Sequence, residues 1–292
     1  MFNLSRKSKD AETVSAGKTE GHIQLPEISP RPRYHLLDTI RGILIIGVVI
    51  FHAILDLTNM GLHQLDFLRV DVSLFMHIVQ VAGIMLFILI SGICSRLSRN
   101  NLKRGLIALA AALCISVVTY VFDLIFKTNF FIYIGILHMF AFCMVLSHFI
   151  LKVVPTSEDP EKHTVWPAMG ALLFLLLFAV TFNMKDSAYG IGIFDWHIPL
   201  NGFPLYGTLF GNILGFGGYS VPSADYFPLI PWTFAFIAGM CLGGYFRRGQ
   251  APKIFTYGKI RPLAFVGRHS LIVYIAHQPI IYGICALIGL LL

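Results

Sequence analysis

The sequence predicts an all-α fold: a polytopic transmembrane helical bundle with about seven spans and a cytosolic N-terminus. Three observations predict it, namely the composition, the long apolar runs and the uneven distribution of Lys and Arg. Of the 292 residues, 56% are hydrophobic and only 13% are charged, whereas soluble domains carry about 25% charged residues. The chain therefore has too few charges to face water on all sides.

Seven apolar segments are long enough to cross a bilayer, since a spanning helix needs about 20 mainly apolar residues. They lie roughly at 36–57, 74–95, 105–126, 130–151, 165–183, 227–246 and 269–292. A further run at 203–218 is interrupted by five glycines, which predicts a short re-entrant or interfacial segment. Residues 1–30 are polar, without a secretory signal, and predict a disordered cytosolic tail ahead of a transmembrane domain at 31–292.

Lys and Arg residues indicate the orientation. With the N-terminus in the cytosol, 19 of the 22 fall on the cytosolic side, and only Arg69, Lys127 and Lys185 fall outside. This distribution obeys the positive-inside rule and favours an odd number of spans. Basic loops along an anionic leaflet account for the net charge of +7, so no nucleic-acid partner is implied. We expect a multi-pass protein of the cell membrane, with membrane lipids as partners.

The cysteines predict neither disulfides nor a metal site. All five, Cys94, Cys114, Cys143, Cys241 and Cys285, lie inside apolar runs, and none belongs to a CxxC pair. Such residues behave as small buried hydrophobes. No metal is expected.

Four ionisable residues line one stripe of the first predicted helix. At about 100° per residue, His52 returns to within roughly 20° of Arg41, and Asp38 and Asp56 lie about 60° to one side. Charges inside a bilayer are costly and normally face a bundle interior or a cavity. Asp38 and Arg41 have the alternative of forming an ion pair that anchors the helix end. Asp56, one turn after His52, is placed to orient its imidazole as a general base.

The motif Arg33…Asp38-x-x-Arg41-Gly42, with a histidine eleven residues after Arg41, resembles the first helix of the membrane acyltransferase superfamily. More closely, the chain resembles the heparan-α-glucosaminide N-acetyltransferase catalytic-domain family and its bacterial relatives. The resemblance covers most of residues 31–292 and rests also on Gly135–His138, Asp225–Trp232, Gly267–Leu271, Tyr274 and His277-Gln278-Pro279.

The resemblance implies transfer of an acyl group, typically acetyl, from cytosolic acyl-CoA to an amine or hydroxyl of a sugar. In heparan-type enzymes the essential histidine lies in the loop after the first helix, whereas the broader superfamily places it on the helix. This chain has both, His52 on the helix and His63 in the loop. His52 is favoured because Asp56 accompanies it, and His63 is the alternative. Direct transfer and a covalent acyl-histidine are both open.

The remaining candidate residues divide between binding of the acyl donor and binding of the acyl acceptor. At the cytosolic rim, guanidinium groups bind phosphate bidentately, so the candidates for acyl-CoA binding are Arg33, Asp38, Arg41 and Arg96, with Arg99, Lys103 and Arg104 nearby. Ordinary positive-inside topology is the alternative for the loop residues. The candidates for acceptor binding are His138, Asp225, Tyr226, Trp232, His277 and Gln278. Intramembrane histidines such as His138 and His277 also serve as packing residues.

Two other classes of protein compete with the acyltransferase. A proton-coupled transporter would use the stripe on the first helix as a relay, but the sequence shows no second copy of that pattern of the kind that transporter repeats contain. A membrane scaffold would need no ionisable stripe. The oligomeric state is open, with a homodimer among the alternatives.

Overall fold

The structure is a computed structural model, and it describes residues 33–59, 73–127, 130–153, 162–217, 223 and 225–291. The tail predicted at 1–30 and the loop histidine His63 lie outside the described residues.

The described residues form ten helices and one two-stranded antiparallel hairpin, which confirms the all-α class. In chain order the elements are α1 His35–Asn59, α2 Leu74–Leu97, α3 Asn101–Phe126, α4 Ile136–Val153, α5 Lys162–Thr181, β1 Ile191–Ile193, β2 Trp196–Ile198, α6 Leu209–Leu214, α7 Leu229–Arg247, α8 Ile254–Tyr257, α9 Arg261–Arg268 and α10 Ser270–Leu291.

Six helices among the described residues are long and apolar enough to cross a membrane: α1, α2, α3, α4, α7 and α10. They coincide with six of the seven predicted spans. The remaining predicted span, 165–183, falls on α5, whose apolar part Pro167–Thr181 is shorter than the six helices. At ~1.5 Å per residue this part extends about 23 Å, while the whole 20-residue helix extends about 30 Å, the thickness of the hydrocarbon core. The 203–218 run contains only the six-residue α6, which is too short to span.

The outer faces of the bundle are apolar. Phe75 on α2, Val117 on α3 and Ile272 on α10 expose 70%, 63% and 63% of their surface. Contiguous apolar surface of this extent is rare on soluble monomers, and it matches a surrounding of lipid.

Glycines let two pairs of helices approach backbone to backbone. A Cβ on Gly92 of α2 would lie 2.0 Å from the Phe236 carbonyl oxygen of α7, and a Cβ on Gly239 would lie 2.0 Å from that of Leu89. Small residues at such crossings allow close packing of transmembrane helices. The main apolar core, which includes Phe236, forms beside this crossing.

The second close approach joins α1 to α9. A Cβ on Gly42 would lie 2.0 Å from the Leu263 carbonyl oxygen, and a Cβ on Gly267 would lie 1.9 Å from that of Asp38. Gly42 belongs to the stripe motif and Gly267 to the motif that precedes α10. Their contact brings the first residues of α10 beside α1.

Several boundaries differ from the predicted ones. The fourth predicted span begins at residue 130, but α4 begins at Ile136 because the preceding residues form a loop that bonds to another loop. There the Phe227 N–H donates to the Ile134 carbonyl oxygen at 3.0 Å. The β1–β2 hairpin and the short helices α8 and α9 were not predicted, because their runs are too short to show a periodic pattern.

Candidate active site

Helices α1 and α10 run in the same direction from one end of the bundle. We call this the basic end, because it carries the Lys and Arg residues at 33–41, 96–104 and 247–268. At this end the Arg41 Nη2–H donates to Ser270 Oγ at 2.8 Å. The sequence did not single out Ser270, although it lies within the Gly267–Leu271 motif.

Deeper in the bundle the stripe of α1 meets two predicted residues of α10. The rings of His52 and His277 have centroids 5.0 Å apart. The Gln278 Nε2–H donates to Asp56 Oδ2 at 3.0 Å. The structure thus brings together two residues predicted as catalytic and two predicted for the acceptor, although more than 200 residues separate them along the chain.

Asp56 contacts α10 rather than His52. Its Oδ2 accepts from Gln278, and the described residues contain no hydrogen bond between Asp56 and His52. The expectation that Asp56 orients the His52 imidazole is therefore not met in this structure, because α10 supplies Asp56 with a donor. The nearest aromatic partners of His52 are His277 and Phe51.

His277 has one bonded ring nitrogen and one buried, unpaired ring nitrogen. Its Nδ1 contacts the carbonyl oxygen of Tyr274. A carbonyl only accepts, so Nδ1 carries the proton and the Nε2 of the neutral ring presents a lone pair. The side chain is only 7% exposed, and no described residue bonds Nε2. Such a nitrogen is available for a substrate hydrogen.

Asp225 links three parts of the structure. Its Oδ2 accepts from the Ile136 backbone N–H at 3.2 Å and from the Tyr274 hydroxyl at 3.0 Å. A Cβ on Gly135 would lie 2.5 Å from the same oxygen, which explains the glycine before α4. Burial raises the pKa of Asp225, although both hydrogen bonds oppose the shift. Asp225 thereby connects the start of α4 to α10, one turn before His277.

His138 has partners at both ring nitrogens. Nδ1 accepts from the Gly135 N–H at 3.2 Å, so Nε2 carries the proton and faces Ser116 Oγ at 3.3 Å. Ser116 in turn donates to the Ile132 carbonyl oxygen at 2.8 Å. This is the packing arrangement that the sequence left open as an alternative to acceptor binding.

Tyr226 and Trp232 support the wall of the bundle. The Tyr226 hydroxyl donates to the Asn212 carbonyl oxygen at 2.7 Å, and burial raises the pKa of Tyr226 to about 12. Trp232 is 9% exposed, with the rings of Phe178 and Phe227 each at a centroid distance of 5.3 Å. The contacts of these two side chains, which were predicted to bind the acceptor, are with other residues of the bundle.

The residues at the basic end that were predicted to bind acyl-CoA separate into groups. Asp38 Oδ2 accepts from Arg33 Nη2 at 3.3 Å in a partly exposed ion pair. The ion pair of Asp38 therefore forms with Arg33 and not with Arg41. This leaves Arg41 without a carboxylate partner among the described residues.

Arg41 lies within electrostatic range of a second arginine, Arg104. Its guanidinium is 6.0 Å from the Phe87 ring centroid, and its Nε is buried without a described partner. Arg41 and Arg104 interact electrostatically with each other and with the Cys94 thiol. Two guanidinium groups within electrostatic range of each other, neither paired with a carboxylate in the described part of the chain, favour binding of an anion.

Arg96 belongs to a different face. It follows Cys94 by two residues, about 200° around α2, and it interacts electrostatically with Arg247 and Arg248 at the end of α7. The four residues predicted to bind acyl-CoA therefore do not form one cluster. Of the predicted phosphate ligands, the structure places only Arg41 both at the basic end and on the stripe that leads to His52.

Among the described residues, no three His, Cys, Asp or Glu side chains are arranged to hold a metal ion. The polar groups that converge between α1 and α10 are histidines, a carboxylate and an amide. These groups are suited to hydrogen bonding and proton transfer.

Apolar spans with ionisable groups converging in their interior define a polytopic helical membrane protein with an intramembrane polar site. The sequence profile of the family described as heparan-alpha-glucosaminide N-acetyltransferase, catalytic, matches residues 33–279, and the chain belongs to this family. Membership implies a membrane acetyltransferase type of function. Neither the curated proteins nor the solved structures give a significant match.

Proposed function

We propose that this protein is an acyltransferase of the cell membrane, which transfers an acetyl or related acyl group from cytosolic acyl-CoA to an amine or hydroxyl of a sugar or cell-envelope glycan. The observation that carries the proposal is the convergence of His52, Asp56, His277 and Gln278 between α1 and α10. Family membership supports the acetyl group.

The proposed reaction is attack of the acceptor nitrogen or oxygen on the thioester carbonyl. A new C–N or C–O bond forms, the C–S bond breaks, and CoA leaves as the thiolate. His52 accepts the acceptor's proton and returns it to the thiolate. Positioned general bases contribute typically 10²–10⁴-fold to a rate. His277 lies beside His52 and binds the acceptor through its unpaired Nε2.

The donor's phosphates are proposed to bind Arg41 and Arg104. These guanidinium groups lie at the basic end and are not paired with carboxylates among the described residues. Eleven residues of helix, about 16 Å, separate Arg41 from His52. The extended pantetheine arm of acyl-CoA separates its phosphates from its thioester by a comparable span. The donor would therefore lie along the stripe of α1.

The test is transfer from radiolabelled acetyl-CoA to a panel of amino sugars and glycan fragments by the purified protein. We compare wild type, His52→Ala, His63→Ala and the control His148→Ala on α4. We expect His52→Ala to lose at least 100-fold in turnover, with the other two variants active. Loss in His63→Ala alone would move the base to the loop. A wild-type protein that neither binds nor consumes acyl-CoA would overturn the proposal.

A second candidate function is proton-coupled transport. The contact between His52 and His277, with Asp56 one turn away, places three titratable groups along one face inside the bundle. Such chains relay protons in transporters. Proteoliposomes loaded with a pH-sensitive dye test this function: proton flux without acyl-CoA, abolished by His277→Phe, would support it.

A further inference from the structure

A cavity at the basic end is separate from the groups that converge between α1 and α10. The cavity has a volume of about 310 Å³ and opens between α1, α2, α7 and the segment that contains α8. Its walls are almost entirely aliphatic and aromatic, with Ile40, Ile93, Phe246 and Phe255 among them. Apolar cavities are poor sites for water, so we expect hydrocarbon to fill this one.

Arginines lie next to the cavity's lining residues. Arg96 follows Ile93 by one turn of α2, and Arg247 and Arg248 directly follow Phe246. The Arg248 guanidinium lies 5.9 Å from the ring centroid of Tyr245, which itself lines the cavity.

These arginines interact with one another. Arg96 is repelled electrostatically by both Arg247 and Arg248, and Arg96 and Arg248 pack against the adjacent glycines Gly243 and Gly244 of α7. The Arg96 Nε is buried without a partner among the described residues. Like charges close together repel each other, and an anion bound near them offsets that repulsion. The cluster therefore favours a bound anion at the rim of the cavity.

The segment that follows α7 has the character of an interfacial element. Residues 247–268 contain six Lys or Arg residues and no Asp or Glu. The same segment exposes apolar side chains, with Ile254, Tyr257 and Phe265 exposed by 63%, 79% and 57%. Basic and apolar groups combined in this way are typical of segments that lie on an anionic membrane surface.

We propose that the cavity binds one acyl chain of an anionic phospholipid, whose phosphate lies against Arg96, Arg247 and Arg248. Basic pockets between transmembrane helices at the cytosolic surface recognise acidic lipid head groups. The apolar lining and the adjacent guanidinium groups match the two parts of one such lipid. A free anion would satisfy only the arginines, and a neutral lipid only the lining.

The lipid also has a structural consequence. Leu37 and Ile40 form part of the cavity wall and flank Asp38 on α1, next to the close contact of Gly42 with α9. A ligand that binds only the folded state stabilises it. We expect the lipid to raise the melting temperature of the protein.

The experiment measures lipid retention by native mass spectrometry of delipidated protein, after addition of phosphatidylglycerol or phosphatidylcholine with the same acyl chains. We expect selective binding of phosphatidylglycerol, accompanied by a higher melting temperature. The double variant Arg247→Gln/Arg248→Gln should bind it at least tenfold more weakly. The control Lys152→Gln removes a charge at the same end of the bundle, on α4, and should bind as wild type does.

Two further variants separate binding from folding. Arg247→Lys/Arg248→Lys keeps the charges and should retain the lipid, whereas Ala251→Phe fills the cavity and should lose it with every arginine present. Equal retention of the two lipids, or unchanged binding in the double glutamine variant, would overturn the proposal. The proposal would also be overturned if palmitoyl-CoA bound in the cavity and phosphatidylglycerol could not displace it, because the cavity would then belong to the acyl donor.

Discussion

Unpaired polar atoms mark the proposed active site at the scale of single residues. Arg41 Nε, His277 Nε2 and Gln278 Oε1 are buried without partners among the described residues, and all three lie where α1 faces α10. A buried polar group left unpaired costs about 1–3 kcal/mol. A substrate that supplies the missing partners would recover that cost, so these atoms are the ones we expect the substrates to contact.

His277 is the residue at which this expectation is most specific. His277→Phe keeps a ring in the space but removes Nε2, so we predict at least a tenfold loss in kcat/KM for the acceptor. The KM for acetyl-CoA should stay near wild type, because the proposed donor ligands lie at the other end of the stripe. Steady-state kinetics with each substrate varied in turn measure both values.

The matched control is His138→Phe, since both ring nitrogens of His138 already have partners in the protein. It should lower stability without a selective change in the KM for the acceptor. Equal kinetic losses in the two variants would show that His277 has only a structural role.

Crossing points between elements decide how the helices approach one another. At the α1–α9 crossing, a Cβ on Gly42 would lie only 2.0 Å from the Leu263 carbonyl oxygen. Gly47, on the same helix, has no atom within 4 Å of its Cβ position. The two glycines therefore lie on the same helix, but only Gly42 is in close contact with another helix.

We predict opposite effects of alanine at these two positions. Gly42→Ala forces α9 away from α1 and should destabilise the protein by about 1–3 kcal/mol, as overpacking does. It should also reduce activity, since α9 positions Ser270 against Arg41. Gly47→Ala should be neutral or stabilising by about 0.5–1 kcal/mol, because glycine is unfavourable in a helix interior. Thermal unfolding in detergent measures both, and equal melting temperatures would contradict the crossing.

The junction of α4, α10 and the loop before α7 depends on Asp225. An asparagine can still accept from the Ile136 N–H and the Tyr274 hydroxyl, so Asp225→Asn should fold with near wild-type stability. Asp225→Ala leaves both donors unpaired and should cost about 1–3 kcal/mol. A similar loss in both variants would mean that the charge, rather than the hydrogen bonds, matters.

The pH dependence provides a second measurement at the same residue. Burial raises the pKa of Asp225 above its ordinary value of 3.8, so the folded state favours the protonated acid. The resulting stability is present below pH 3.8 and is lost as the pH rises through the raised pKa. The melting temperature of Asp225→Asn should lack this decrease.

The whole molecule is organised by the asymmetry between its two ends. The basic end carries the 247–268 segment with six cations, and the opposite end carries the β1–β2 hairpin, in which Asp195 is exposed. The positive-inside rule assigns the basic end to the cytosol. The proposed donor site and the phospholipid site would then both open to the side that supplies acyl-CoA and anionic lipid.

Cysteine accessibility tests this orientation. In a variant with all five native cysteines replaced, Asp195→Cys should react in intact cells with a membrane-impermeant maleimide. Lys253→Cys should react only after the membrane is permeabilised. Mass-tag gel shifts measure the labelling, and the reverse pattern would invert the topology and place both proposed sites on the outer side.

Long apolar segments could be predicted from the sequence, whereas short segments could not. Six spans are visible because long apolar runs are stable as helices in lipid wherever their neighbours lie. The stripe of α1 was likewise predictable, since helical periodicity alone puts Arg41 and His52 on one face. The hairpin and α9 were not, because their short runs depend on contacts with distant residues.

The sequence by itself determined the membrane class, the spans, the charge asymmetry and the family, because these follow from local composition and from ordered motifs. Only the tertiary structure decided which partners the polar residues have. It paired Asp38 with Arg33, Asp56 with Gln278 and Asp225 with Tyr274, and it placed His277 beside His52. These choices depend on the glycine crossings that place α9 and α10 against α1, which periodicity within a single helix does not encode.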